Sequence, residues 1–171
     1  MRVEVVPYNP RWRDAFYTER KHIFAALGKN VVAIHHIGST AIPGIYAKPV
    51  IDLLVEVKDI IDLDRRNSAM ELLGYEVMGE FGIPGRRYFR KDDGDGVRTH
   101  QVHAFEAGSE QTVRHLAFRD YMIEHPAEAQ KYSELKQGLA DKYPDDMDAY
   151  IDGKDGFIKE VDRRAAQRRE M

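Results

Sequence analysis

The chain has 171 residues, 43% hydrophobic and 32% charged, a balance that suits one folded domain and excludes a disordered chain. Its 26 Lys and Arg against 29 Asp and Glu give a net charge of -3, which argues against a protein that coats nucleic acid or an anionic membrane. With no cysteine present, disulfides, thiolate metal sites and cysteine nucleophiles are excluded together.

No apolar run approaches the ~18 residues of a membrane span, and Met1–Pro7 lacks a signal-peptide layout. The expected location is therefore cytoplasmic, with no membrane partner. Asn9-Pro10 reads as a helix cap with proline at the first position, and Trp12, Phe16, Ile23, Phe24 and Leu27 recur at helical spacing up to Gly28. That stripe is the inner face of an amphipathic helix. Val31–Ile37 is a β-branched run and predicts a strand, interrupted by Gly38-Ser39-Thr40. Val50–Val57 predicts the clearest strand of the chain. Asp59–Leu73 predicts a helix closed by Gly74, with Asn67-Ser68 weakening its middle. Three strands are expected next, at Tyr75–Glu80, Arg87–Lys91 and Val97–Phe105, the last two joined by a tight turn at Asp92–Gly96. That acidic turn lacks the ligand spacing and final glutamate of a calcium loop.

Beyond Gly108 the pattern becomes helical: Gln111–Glu124, a break at His125-Pro126, then Pro126–Tyr143 and a last helix over roughly 154–169. The expectation is a single domain over 1–171, with a sheet portion to about 108 and a helical portion from about 109 packed against it.

The chemistry concentrates in His36–Glu56. Glycine lets a backbone approach a phosphate closely, and the Ser39 and Thr40 hydroxyls with nearby N–H groups can donate to its oxygens. Asp52 sits inside a run of Val, Ile and Leu, where a carboxylate is costly to bury unless a cation or donors meet it.

These residues resemble the GrpB family of the nucleotidyltransferase superfamily. The resemblance is carried by Val6-Pro-Tyr-Asn-Pro-Arg-Trp12, Gly38-Ser-Thr-Ala-Ile-Pro-Gly44 and Ala47-Lys-Pro-Val-Ile-Asp-Leu53. It continues through Arg87-Tyr-Phe-Arg90, Arg98-Thr-His-Gln-Val-His103, His115-Leu-Ala-Phe-Arg-Asp-Tyr121 and Gly153-Lys154, most of the chain. It implies an α+β fold: a nucleotidyltransferase-like mixed β-sheet with flanking helices and a helical C-terminal portion. In active members of the superfamily, Gly-Ser binds nucleotide phosphates, here Gly38 and Ser39 with Thr40. A carboxylate pair one residue apart, joined by a third, holds two magnesium ions, which at ~3.5–4 Å separation stabilise attacking and leaving oxygens.

The first carboxylate position maps to Asp52, but the second holds Leu54. Glu56, on the same strand face, is about 13 Å away and does not replace it. The family's paired histidines map to Gln101 and His103, with His100 on the opposite face. Asp52 and His103, with Gln101 as a weaker oxygen donor, are thus candidate catalytic residues and ligands of one divalent metal, with magnesium, manganese or zinc as candidates. Imidazole with carboxylate favours zinc, manganese or iron over magnesium. The other reading is that His103 only hydrogen-bonds Asp52.

Lys48, between the Gly-Ser turn and Asp52, is placed to meet a phosphate. Arg86, Arg87 and Arg90 follow Gly82–Gly85, a loop that can carry a guanidinium over a ligand; Arg87 is the candidate, whereas Arg86 fits a solvated face better. Arg119 and Asp120 suit a local pair, and Lys154 either caps the last helix or points into the cleft. His22, His115 and His125 form no chelating set.

The functional expectation is metal-dependent transfer of a nucleotidyl group from a nucleoside triphosphate to an acceptor. The alternative is a non-catalytic module that binds a nucleotide or other phosphorylated small molecule, with a link to coenzyme A metabolism through related domains fused to dephospho-CoA kinase. No Walker A sequence is present, so the chain does not resemble that kinase itself.

Overall fold

Alternation along one strand decides how the molecule is layered. In Ile51–Val57 (β2), Leu53, Val55 and Val57 are wholly buried on one face, while Asp52, Leu54 and Glu56 turn to the other. The computed structural model describes residues 2–170, with side chains to Arg168. Around β2 lies a five-stranded mixed sheet. Val31–Ile37 (β1) pairs with it antiparallel on one side, and Arg98–Glu106 (β5) pairs parallel on the other. Arg87–Asp92 (β4) and the two-residue Glu76–Val77 (β3) extend the sheet antiparallel, in the order β1-β2-β5-β4-β3.

The first face carries the larger apolar cluster. Arg11–Leu27 (α1) buries Trp12, Phe16, Ile23 and Leu27 on it, and Asn9 caps the helix by accepting from the Arg11 N–H at 3.0 Å. Ile60–Leu63 (α2) and Asn67–Leu72 (α3) cover the rest with Ile60, Leu63 and Met70. The single helix expected over 59–73 is thus broken. A 3-10 turn at Asp64–Arg66 separates its halves, and Asp64 there faces Arg87 of β4. The strand expected over 75–80 shrinks to Glu76–Val77, because the chain turns at Gly79 toward the loop before β4.

On the second face Glu110–Glu124 (α4) lies against β1 and β5, and Pro126–Lys142 (α5) and Met147–Glu170 (α6) pack on α4 and on Ile42 and Ile45 of the β1–β2 connection. α6 begins at Met147, seven residues before the position expected, with Asp146 accepting from the Ala149 N–H at 3.0 Å. The acidic run and two glycines there suggest a loop, yet Gly153 serves close packing: a Cβ on it would collide with Leu139 of α5. Among the described residues no helix is long and apolar enough to cross a membrane.

Candidate functional site

Gly38 ends β1 with φ +74°, and a Cβ on it would lie 2.5 Å from Asp52 Oδ2. Only glycine lets this turn pass beside the carboxylate. The chain then makes a 3-10 turn over Ser39–Ala41. Thr40 is buried at its centre. Its hydroxyl donates to the Val50 carbonyl at 3.2 Å and lies 2.9 Å from His36 Nε2. With its one proton committed to Val50, Thr40 accepts from the His36 Nε2–H and braces the turn. Burial pushes His36 down to about 4, against the pull of Asp52 and with help from Arg119 and Arg13, so the ring is neutral at pH 7.

A cavity of about 140 Å³ opens beside this turn, lined by Ser39, Thr40, Lys48, Asp52, Gln101 and, from the helical layer, Lys136, Tyr150 and Lys154. Three ammonium groups thus face one carboxylate. Lys136 is the unusual member. It is 1% exposed, and its Nζ has no hydrogen-bond partner among the described residues, only the face of the Tyr132 ring at 4.5 Å. Burial pushes Lys136 down to about 7, with repulsion from Lys154 adding to it. Lys154, over the Tyr150 ring at 4.9 Å, is pushed down to about 8 by burial and by Lys48, with Asp52 opposing. Lys48 also falls below its ordinary value through burial, and its nearest donor contact is Met147 Sδ at 3.7 Å, a weak acceptor. The Tyr150 hydroxyl is likewise buried without a partner among the described residues, and Tyr132, pushed up to about 12 by burial, stands against Ser39.

The second arm of the site runs from Asp52 along β5. Register sets Gln101 beside Asp52 and His103 beside Leu54, all on the second face. His103 Nε2 is 3.3 Å from Asp52 Oδ1, and its Nδ1 is 3.3 Å from Nη1 of Arg86. A guanidinium only donates, so His103 Nδ1 accepts and Nε2 carries the proton toward Asp52. Arg86, expected in solvent, is only 7% exposed and also donates to the carbonyls of Phe81 at 2.9 Å and Glu80 at 3.2 Å. These bonds pin the Gly79–Gly85 loop beneath the ring. Arg87 takes the opposite face, where it donates to Asp64 at 2.7 Å, away from the cavity. One residue of alternation separates these two fates. Arg90 holds Glu76, and Arg119 pairs with Asp120 while donating to the His36 carbonyl. His115 of α4 does reach the site, its ring centroid 6.1 Å from that of His103. Burial, with Arg114, His103 and Arg86 nearby, pushes it down to about 3.

The pair of magnesium ions implied by the superfamily does not fit this donor set. Leu54 is wholly buried with Ile37 and Phe105, and Glu56 is engaged by His35 at 2.6 Å. No group of three or more His, Asp or Glu among the described residues has metal-ligand geometry. The Nε2 of His103 that faces Asp52 holds a proton rather than a free lone pair.

A profile described as GrpB protein matches residues 2–164. The chain belongs to the GrpB family. UPF0157 protein YqkA of Bacillus subtilis (strain 168) is 44% identical over 164 residues, covering 96% of this chain and 47% of YqkA, so the chain spans about half of that relative. The crystal structure of conserved protein GrpB from Enterococcus faecalis, 41% identical, superposes with TM-score 0.93 over 98% of this chain and all of that one. Terminal uridylyl transferase 4 from Trypanosoma brucei with bound dUTP is 12% identical and has TM-score 0.58 over 96% of this chain and 56% of its own. At that identity the likeness is one of fold, and the GrpB-family fold here is α+β and nucleotidyltransferase-like.

The candidate site includes two members that the sequence motifs alone do not point to, Lys136 and Tyr150. The signal for the first was present: Ala129, Tyr132, Ser133 and Lys136 follow the spacing of a helix's buried face, which places a lysine on an inward stripe.

Proposed function

We propose that this GrpB-family protein binds a nucleotide, or another phosphorylated small molecule, by seating its phosphates between the Ser39 turn and Lys48, Lys136 and Lys154. The observation that carries the reading is the buried, unpartnered ammonium of Lys136. A lone buried cation is costly, and an anion arriving in the cavity would supply its missing partner. Backbone N–H groups of the turn and the Ser39 hydroxyl add donors, while Thr40 holds the turn rigid. Asp52, whose carboxylate accepts from His103 Nε2–H, would repel a phosphate placed too deep and so set the depth at which it stops.

The nucleotidyltransferase-like fold favours a second reading, transfer of a nucleotidyl group to an acceptor. A divalent ion would there rest on Asp52 and the Gln101 amide oxygen and supply Lewis-acid chemistry at phosphorus. His103 joins such a site only with its proton moved to Nδ1, which Arg86 opposes. Binding without a metal pair therefore accords better with the donor set.

Calorimetric titration with the four nucleoside triphosphates and dephospho-coenzyme A, first in EDTA and then with magnesium or manganese, tests both. The binding reading expects heat of association in EDTA. Association only with metal, accompanied by pyrophosphate release that Asp52→Asn abolishes, would replace it with the transfer reading. Silence under every condition would end both.

A further inference from the structure

A second cavity, of about 260 Å³, adjoins the lysine cavity and shares Lys48, Val50 and Gln101 with it. Its character is different. Pro49, Val50, Val97 and Met147 give it apolar walls, and Gln101, Arg98, Arg2 and Glu4 stand at its polar edges. Val97 is 54% exposed, an apolar side chain held out at the end of the β4–β5 turn. That turn is rigidly built: Asp93 Oδ1 accepts from the N–H groups of Asp95 at 2.8 Å and Val97 at 3.0 Å, and Arg98 is tied to Asp92 at 2.5 Å. Lys48 stands on the common wall, its ammonium against the Met147 sulfur.

Resting on the phosphate reading above, we propose that this second cavity holds the nucleoside of the ligand, so that the protein selects nucleoside polyphosphates over bare polyphosphate. The two compartments together fall within the ~300–1,000 Å³ of small-molecule sites. Their order fits one ligand: a cationic compartment for phosphates, a shared lysine at the junction, then apolar walls for the flat faces of a base. Gln101, which lines both, offers a donor and an acceptor to a sugar hydroxyl or a base edge. Arg98, held by Asp92, adds a donor at the outer rim. A sugar phosphate without a ring of low polarity would leave Pro49, Val97 and Met147 uncovered and gain little from them.

The test compares inorganic tripolyphosphate with the four nucleoside triphosphates by calorimetry, on the wild type and on Val97→Trp and Val97→Ser. Tryptophan at this exposed turn position fills the compartment without adding charge, and serine removes apolar wall. The wild type should bind at least one nucleoside triphosphate about tenfold more tightly than tripolyphosphate, the worth of a buried ring face. Val97→Trp should bring that preference to roughly threefold or less, and Val97→Ser to an intermediate value, with tripolyphosphate affinity unchanged in both. Equal wild-type affinity for tripolyphosphate and all four nucleotides overturns this inference alone, as does a preference that survives Val97→Trp. Failure of both kinds of ligand to bind overturns the phosphate reading and this inference with it.

Discussion

Two buried charges, one on each face of the sheet, are treated in opposite ways. Glu19 of α1 is 5% exposed, and its carboxylate has partners: Tyr75 and Lys91 each donate to Oε1 at 2.6 Å, and His22 and His100 stand 3.9 Å from Oε2. Burial pushes Glu19 up, but the hydrogen bonds from Lys91 and Tyr75 outweigh it and leave it below the ordinary value. Lys136 of α5 is more deeply buried and has only an aromatic face. A charge with its partners in place holds a fold together. One without them, at the wall of an open cavity, costs stability that an arriving anion would restore. Tyr150, the neighbour of Lys136, has an unpartnered buried hydroxyl as well, so two of the three buried side-chain atoms left without a partner among the described residues lie at the lysine cavity, the third being Asp162 Oδ1.

Breaking the completed network gives the largest effect. Glu19→Gln leaves Lys91 without its counter-charge at a largely buried site and should cost roughly 3 kcal/mol in urea unfolding, with ligand affinity unchanged. An equally stable variant would erase the contrast from its structural side.

Acid sharpens the comparison at the next scale, because each face holds a half-buried, neutral histidine. His36 stacks on Phe16 beneath α1, and His115 stacks on His103 beneath α4. Their folded values, about 4 and about 3, lie below the ~6.5 of an unfolded chain. Between those limits the unfolded chain binds more protons, so their full stability is present above pH ~6.5 and is lost as pH falls toward 4. Each should cost about 2 kcal/mol at pH 5 relative to pH 7. Urea midpoints at the two pH values check this, and His115→Phe should remove one half of the loss. A pH-independent midpoint would contradict it.

The smallest expected effect separates Arg87 from the cavity. Its pair with Asp64 is partly solvated, so Arg87→Ala should cost about 0.5–1 kcal/mol and leave ligand affinity unchanged. A tenfold loss of affinity would return Arg87 to the ligand.

The fold was readable wherever one residue type dominated a stretch. Val31–Ile37 and Ile51–Val57 are β-branched runs that nothing else in the structure contests, and Asn9-Pro10 and Gly28 punctuate α1 as local rules require. The start of α6 was not readable, because the reason for Gly153 is the proximity of Leu139, a tertiary fact. At the site, Asp52, Gln101 and His103 lie in two strands whose alternation is legible, Gly38 and Ser39 at the turn after β1 and Lys48 in the connection to β2, and the structure gathers them. Arg86 and Arg87 were harder. Which of two adjacent arginines faces inward depends on strand register, and register depends on partners far away in sequence. Lys136 and Tyr150 arrive from helices whose rotation about their axes is set by packing, so only the inward stripe of α5 hints at them.

The contrast between the two charges is tested most directly by Lys136→Met, with stability and ligand affinity measured on the same preparation. Removing an unmet buried ammonium should raise stability by about 1–3 kcal/mol near pH 7, while affinity for the best-bound nucleoside triphosphate falls about a hundredfold. The gain should shrink as pH rises from about 7 toward 10.5, because there the folded lysine is neutral while the unfolded one still binds its proton. A variant that is less stable than the wild type and binds the nucleotide equally well would contradict the account.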